Sequence, residues 1–176
     1  MELELTKLQN GLPGITPTVG AALVEACCVC LRDQGHLDGV SLVVEGTVSR
    51  IFNLRWFREH VTEQVLRCWK DMQEATEDAA ACIACLLVLE LTEFTIIERS
   101  RKGTGFDYWL GYDEDEPLFQ PRGRLEVSGI LAGSERDIKE RVKKKIKQTA
   151  PSDHMQIPAL AIVVEFSRPI SQVATK

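Results

Sequence analysis

Residues 98–130 read ERSRKGTGFDYWLGYDEDEPLFQPRGRLEVSGI, and the two apolar runs on either side of the acidic segment decide the fold. The runs GFDYWLG and RLEVSGI both have the pattern of a β-strand, and each contains one carboxylate, Asp107 in the first and Glu126 in the second. Burying a carboxylate is costly unless a cation or hydrogen bonds compensate for its lost hydration. Two such carboxylates on adjacent strands therefore suggest a divalent-cation site.

Ion pairs with nearby basic side chains offer a second interpretation of both carboxylates. Asp107 could pair with an arginine of the basic turn that precedes its strand, at residues 99–104. Glu126 could pair with Arg124 on its own strand or with Arg141 on the next predicted helix. The residue pattern leaves these ion pairs open beside the metal site.

The composition is that of a single soluble globular domain. Hydrophobic residues make up 44% of the 176 residues and charged residues 27%, so the chain can bury a sizeable core. The net charge of −5 means that any binding of nucleic acid must rely on a local basic patch. No apolar run approaches the roughly 20 residues of a membrane span, and the first residues lack the pattern of a signal peptide. We therefore predict a cytoplasmic protein with no membrane contact.

Hydrophobic periodicity predicts an α/β fold with a mixed central sheet flanked by helices. The predicted helices cover 17–33, 58–90 and 135–149. An N-terminal hairpin is predicted at 39–47 and 49–56, and further strands at 92–99, 105–112, 123–131 and 157–167. We expect a single domain at 17–168, a loose lead-in at 1–16, a frayed tail at 169–176 and a solvated acidic loop at 113–116.

Six cysteines fall within the predicted helices, and two of them, Cys82 and Cys85, have the CxxC spacing. They are embedded in a continuous apolar run without the turn residues of a zinc knuckle. We therefore interpret them as small core residues.

From residue 62 to residue 167, the predicted order is helix, strand, strand, strand, helix and strand. Asp107 lies in the second of these strands and Glu126 in the third. This arrangement resembles the restriction-endonuclease-like, or PD-(D/E)XK, nuclease superfamily over about three-fifths of the chain. Glu77 resembles the acid that many members carry on the helix before the first strand. The resemblance implies a Mg²⁺ or Mn²⁺ site and phosphodiester hydrolysis. Asp107, Glu126 and the Val127 carbonyl could face one ion, and Glu77 could hold a water molecule or a second ion.

One position departs from the pattern of the family. Its third-strand motif ends in a lysine two residues after the glutamate, and this chain has Ser128 there. That lysine offsets the negative charge that develops during the reaction, which a serine cannot do. In this chain Arg124, on the same strand face, or Lys102, in the basic turn, could substitute for it.

The last predicted helix has a strongly basic surface around a single apolar stripe. If the resemblance holds, Lys143, Lys144 and Lys147 of this helix, together with Lys102, would contact the phosphates of a nucleic acid. A solvated helix face is the alternative interpretation of the same charges.

Three functional hypotheses follow. The first is a metal-dependent nuclease, or a nuclease-like subunit, that acts on nucleic acid. The second is a catalytically silent module with the same fold, which binds nucleic acid, a protein partner or a second copy of the chain; the serine at position 128 fits it. The third is a small-molecule enzyme, which would require a deep apolar pocket near Asp107.

Overall fold

The computed structural model describes residues 1–113 and 120–176, and within them eight strands form one mixed sheet. The strands are Glu2–Glu4 (β1), Ser41–Gly46 (β2), Arg50–Arg55 (β3), Thr95–Arg99 (β4), Tyr108–Gly111 (β5), Gly123–Ile130 (β6), Ala159–Glu165 (β7) and Ile170–Thr175 (β8). The helices are Pro17–Asp33 (α1), Glu63–Cys68 (α2), Met72–Leu91 (α3) and Glu135–Gln148 (α4). Short 3-10 turns cover Leu5–Asn10, Arg58–His60 and Ala150–Met155. The prediction of an α/β fold with a mixed sheet is confirmed.

The strand order across the sheet is β1-β3-β2-β8-β7-β6-β5-β4. Strands β4, β5 and β6 form an antiparallel meander, whereas β6 and β7 run parallel to each other and are connected through α4. Helix α3 precedes the meander. From α3 to β7, the chain therefore has the predicted order of helix, three strands, helix and strand. Of the predicted acidic loop at 113–116, only Asp113 lies within the described residues.

The core lies between the sheet and the packed pair of helices α1 and α3. Helix α1 begins where Thr16 accepts a hydrogen bond from the Val19 amide at 3.3 Å, with a proline in its first turn. From Ala79 to Val88 every side chain of α3 is buried, as the apolar sequence predicts. Five of the six cysteines also lie in this core, and only Cys68 is exposed, so the interpretation of the others as core residues is confirmed.

The prediction of one continuous helix at 58–90 is wrong. The segment divides into a 3-10 turn, α2 and α3, because the backbone leaves the helical conformation at Trp69 and Asp71 starts a new helix. The Trp69 indole donates to the Glu25 carboxylate at 2.7 Å, which ties the break to α1. Asp71 accepts hydrogen bonds from the amides of Gln73 and Glu74, the usual contacts of an N-cap. No glycine or proline marks this break in the sequence.

Both chain ends differ from the predicted loose lead-in and frayed tail. Strand β1 pairs in parallel with β3, and the side chains of Leu3, Leu5 and Leu8 are fully buried. Strand β8 lies inside the sheet, between β7 and β2. The alternation of apolar and polar residues in β1 and β8 extends over too few residues to predict a strand. Both strands are stabilised by pairing with strands that are distant along the chain.

Helix α4 covers the opposite face of the sheet from α3. Ser134 and Asp137 form a reciprocal capping box at its start, and Ile138 is its buried anchor. On strand β6, Ser128 contacts α4 while the next residue, Gly129, faces Thr76 of α3. The end of β6 is therefore enclosed by a helix on each side. Among the described residues, none of the helices combines the length and the apolar character that crossing a membrane requires.

Candidate metal centre

The candidate site lies just before the first residue of β5, where the edge of β6 is no longer paired with a strand. The ladder between the two strands extends from Leu110 and Gly123 to Tyr108 and Leu125. Just before β5, the Asp107 amide still donates to the Leu125 carbonyl at 2.8 Å. Farther along β6, the Asp107 side chain takes the place of a backbone partner. Its Oδ2 accepts a hydrogen bond from the Val127 amide at 2.8 Å.

The Val127 carbonyl faces this open edge. In a β-strand the N–H and C=O of one residue point to the same edge. The Val127 N–H bonds Asp107 on the side of β5, so the carbonyl of the same residue points that way too. A backbone oxygen and the Asp107 carboxylate therefore lie together at this edge.

Glu126 is the most buried acid of the site, with 1% of its surface exposed. Its Oε1 accepts a hydrogen bond from Lys145 Nζ at 2.5 Å. Its Oε2 is buried and receives no hydrogen bond from a donor in the part of the chain that the structure describes, although the Asp107 carboxylate lies within hydrogen-bond reach of Glu126. Burial, and next the Asp107 carboxylate, raise the pKa of Glu126 to about 7, although Lys145 acts in the opposite direction. Glu126 therefore holds a spare acceptor that favours a positive partner.

Neither predicted ion pair forms. Asp107 bonds the backbone of β6 in place of an arginine, and Glu126 pairs with Lys145 in place of Arg124 or Arg141. Arg141 lies one helical turn before Lys145 and donates to Ser128 Oγ at 2.9 Å. The same arginine contacts the Gly129 carbonyl at 3.5 Å, so α4 supplies a wall of cations above the end of β6.

A cleft of about 320 Å³ opens between α3 and α4 beside these residues. Acids line one wall, where α3 contributes Glu77 and Asp78 next to Asp107, and cations line the α4 wall. Burial raises the pKa of Asp78, an effect that the Arg99 guanidinium partly offsets. The charged lining contrasts with the deep apolar pocket that a small-molecule enzyme would require.

The structure brings several predicted site residues to this cleft. Asp107, Ser128, Glu77 and Lys144 all line it, and Glu126 lies buried beside Asp107. Ser128 is buried, and its hydroxyl is held by Arg141. Glu77 is exposed at the mouth of the cleft, where it accepts a hydrogen bond from Gln73 at 3.3 Å.

Other predicted residues lie outside the cleft. Arg124 is 2% exposed, and its guanidinium holds the turn after α4 through Ser152 Oγ at 2.6 Å and the Ile157 carbonyl at 2.8 Å. It therefore does not occupy the place of the missing lysine. Three predicted contacts of nucleic acid are exposed but do not line the cleft: Lys102, Lys143 and Lys147.

Sequence reasoning did not assign Lys145, Arg141, Asp78 or Arg99 to the cleft; it offered Arg141 and an arginine of the basic turn only as ion-pair partners of the two carboxylates. A weak signal exists for the first two. On α4, Arg141 and Lys145 each directly precede a residue of the apolar stripe, so they flank the buried side of the helix. No such signal distinguishes Asp78 from the acids around it.

The donor set at the open edge fits a hard divalent cation. Mg²⁺ and Mn²⁺ prefer carboxylates, carbonyls and water, which are the groups that Asp107, Glu126 and Val127 offer. Within residues 1–113 and 120–176, no three histidine, cysteine or acidic side chains lie together as a metal cluster. Mg²⁺ often binds through one or two carboxylates plus substrate phosphates, so the carboxylates of Asp107 and Glu126 suffice for a site of this kind.

Comparisons with models of known protein families, with curated protein sequences and with solved structures find no match to this chain. The geometry of the cleft therefore carries the functional proposal.

Proposed function

We propose that this protein is a metal-dependent nuclease, or a nuclease-like subunit, with a PD-(D/E)XK core that acts on nucleic acid phosphodiesters. The observation that carries the proposal is the unpaired, buried Glu126 Oε2 next to Asp107 at the open edge of β6. The topology supports it, because α3, the β4-β5-β6 meander, α4 and the parallel strand β7 follow the order of that core.

In this proposal Asp107, Glu126 and the Val127 carbonyl hold one Mg²⁺ or Mn²⁺ ion. Such an ion polarises the phosphate and lowers the pKa of an attacking water. The protein residues position and neutralise the substrate around it. Glu77, at the mouth of the cleft, is placed to accept a hydrogen bond from a water molecule.

Lys145 supplies the positive charge that Ser128 cannot. Its ammonium group lies beside Glu126 and lines the same cleft as Asp107. A cation at this place would offset negative charge that develops on the phosphate. Ser128 retains a supporting role, because its hydroxyl fixes the Arg141 guanidinium in the wall that would face the phosphate.

A catalytically silent binding module is the second candidate, and the same ion pair favours it. Lys145 already compensates part of the charge of Glu126, so the fold does not depend on a metal ion to keep this acid buried. In that case the cleft would bind nucleic acid or a protein partner without cleaving a bond.

Cleavage of fluorescently labelled oligonucleotides with Mg²⁺ or Mn²⁺ tests the choice. We expect the native protein to cleave, and Asp107→Asn and Glu126→Gln to lower the rate by about 100-fold or more, as for loss of a group that stabilises transition-state charge. Glu63→Gln changes an exposed acid on α2 and serves as the matched control. Absence of metal-dependent cleavage by the folded native protein would reject the nuclease and leave the silent module.

A further inference from the structure

We infer that the cleft between α3 and α4 takes nucleic acid as a single strand, and that a duplex is not bound along the outer face of α4. The inference rests on the proposed function for the location of the site. It concerns which form of nucleic acid can reach Asp107, and it holds for a nuclease and for a silent module alike.

The shape of the cleft is the first argument. Its volume of about 320 Å³ lies at the lower end of the roughly 300–1,000 Å³ of small-molecule sites. The floor is buried at Val127 and Ser128, whereas Lys144 and Gln148 at the rim are exposed. A phosphate must therefore enter between two helices to approach Asp107. A single strand can splay one nucleotide into such a space, but a duplex must first lose pairing and stacking.

The distribution of charge is the second argument. Four cations line the cleft: Arg99, Arg141, Lys144 and Lys145. A protein that contacts about 6–10 phosphates of a duplex needs more cations than these four. The opposite wall carries Glu77 and Asp78, which would repel the phosphates of a second strand. One negatively charged strand fits between the walls, and two do not.

The outer face of α4 does not offer a better surface for a duplex. Four cations surround a separate, shallow depression on this face, Arg136, Lys139, Lys143 and Arg168, but Glu135 and Glu140 line it too, and Arg168 pairs with Glu165. Glu140 accepts a hydrogen bond from Arg136 at 2.8 Å, so acids interrupt the positive charge of this face. The cations of the cleft wall and those of the outer face can therefore be tested separately.

Fluorescence anisotropy with one labelled oligonucleotide, alone and as its duplex, tests the inference. We expect the Glu126→Gln protein with Mg²⁺, and the native protein in EDTA, to bind the single strand at least about tenfold more tightly than each binds the duplex. Lys144→Ala should weaken this binding about threefold at low salt and reduce the slope of log K against log salt by about 0.7. Lys143→Ala, which removes the adjacent exposed charge outside the cleft, should have a smaller effect.

Three results would overturn the inference: equal or tighter binding of the duplex, an equal or larger effect of Lys143→Ala, or no binding of either form. Mn²⁺ binding by calorimetry separates this failure from failure of the proposed function. If the protein binds Mn²⁺ but prefers the duplex, the proposed nuclease function stands and the inference that the cleft takes a single strand is rejected. Preference for the single strand without Mn²⁺ binding or cleavage would reject the nuclease and retain the cleft.

Discussion

Replacing Glu126 with glutamine should flatten the dependence of stability on pH. Glu126 is 1% exposed, and its neighbour Asp107 adds to the effect of burial in raising the pKa to about 7. The folded protein therefore binds this proton more tightly than the unfolded chain does. The stability that results is fully present below the ordinary pKa of 4.5 and is lost as the pH rises through about 7.

The size of the effect follows from the two pKa values. A change of one pKa unit corresponds to about 1.4 kcal/mol, so a rise from 4.5 to about 7 is worth roughly 3 kcal/mol in total. Most of this loss, about 2–3 kcal/mol, falls between pH 5 and pH 8. Glutamine keeps the shape of the side chain but cannot ionise, so the variant lacks this contribution while the other titrating groups remain.

Urea unfolding followed by circular dichroism, at about pH 5 and about pH 8, measures both free energies of unfolding. We expect the native protein to lose about 2–3 kcal/mol more than Glu126→Gln over this interval. The pH dependence is the informative quantity, because the altered contact with Lys145 changes the stability of the variant at every pH. If the stabilities of the two proteins depend on pH in the same way, Glu126 is not a buried acid with a raised pKa.

Three further changes test how the fold supports the site. Gly129→Ala should lower the free energy of unfolding in urea by about 1–3 kcal/mol, because the new Cβ would lie 2.3 Å from the Thr76 carbonyl oxygen. Gly123→Ala, on the same strand, is the control, because its new Cβ would make only ordinary van der Waals contacts. Arg124→Met should cost about 2 kcal/mol in that assay by leaving buried acceptors unpaired, yet Mn²⁺ affinity measured by calorimetry should not change. Deleting residues 170–176 should abolish the cooperative unfolding transition, since β8 lies inside the sheet; a folded truncated protein would contradict the sheet order.

The sequence predicted those elements whose pattern is long or marked at its ends. Helix α1 matches because Thr16 and Pro17 mark its start, and α4 because Ser134 and a single apolar stripe define it. The break at Trp69 was missed because contact with α1, and no local breaker, ends that helix. Strand β8 was missed because its stability depends on β2 and β7, which are remote in sequence.

Part of the candidate site was predictable from the strand pattern. Asp107 and Glu126 could be placed together because a strand alternates between two faces and neighbouring strands are adjacent along the chain. The partner of Glu126 could not, because it depends on how α4 is rotated above the sheet. Arg124 shares a strand face with Glu126, but its long side chain reaches the turn after α4 and leaves the cleft.

Calorimetric titration with Mn²⁺ tests the central claim most directly, by comparing the native protein with the Asp107→Ala, Glu126→Ala double variant. Both proteins must first give the circular dichroism spectrum of a folded α/β protein. We expect binding to the native protein and none to the variant, which would place the ion between β5 and β6. Equal binding by both proteins, or none by the native protein even with an oligonucleotide present, would contradict it.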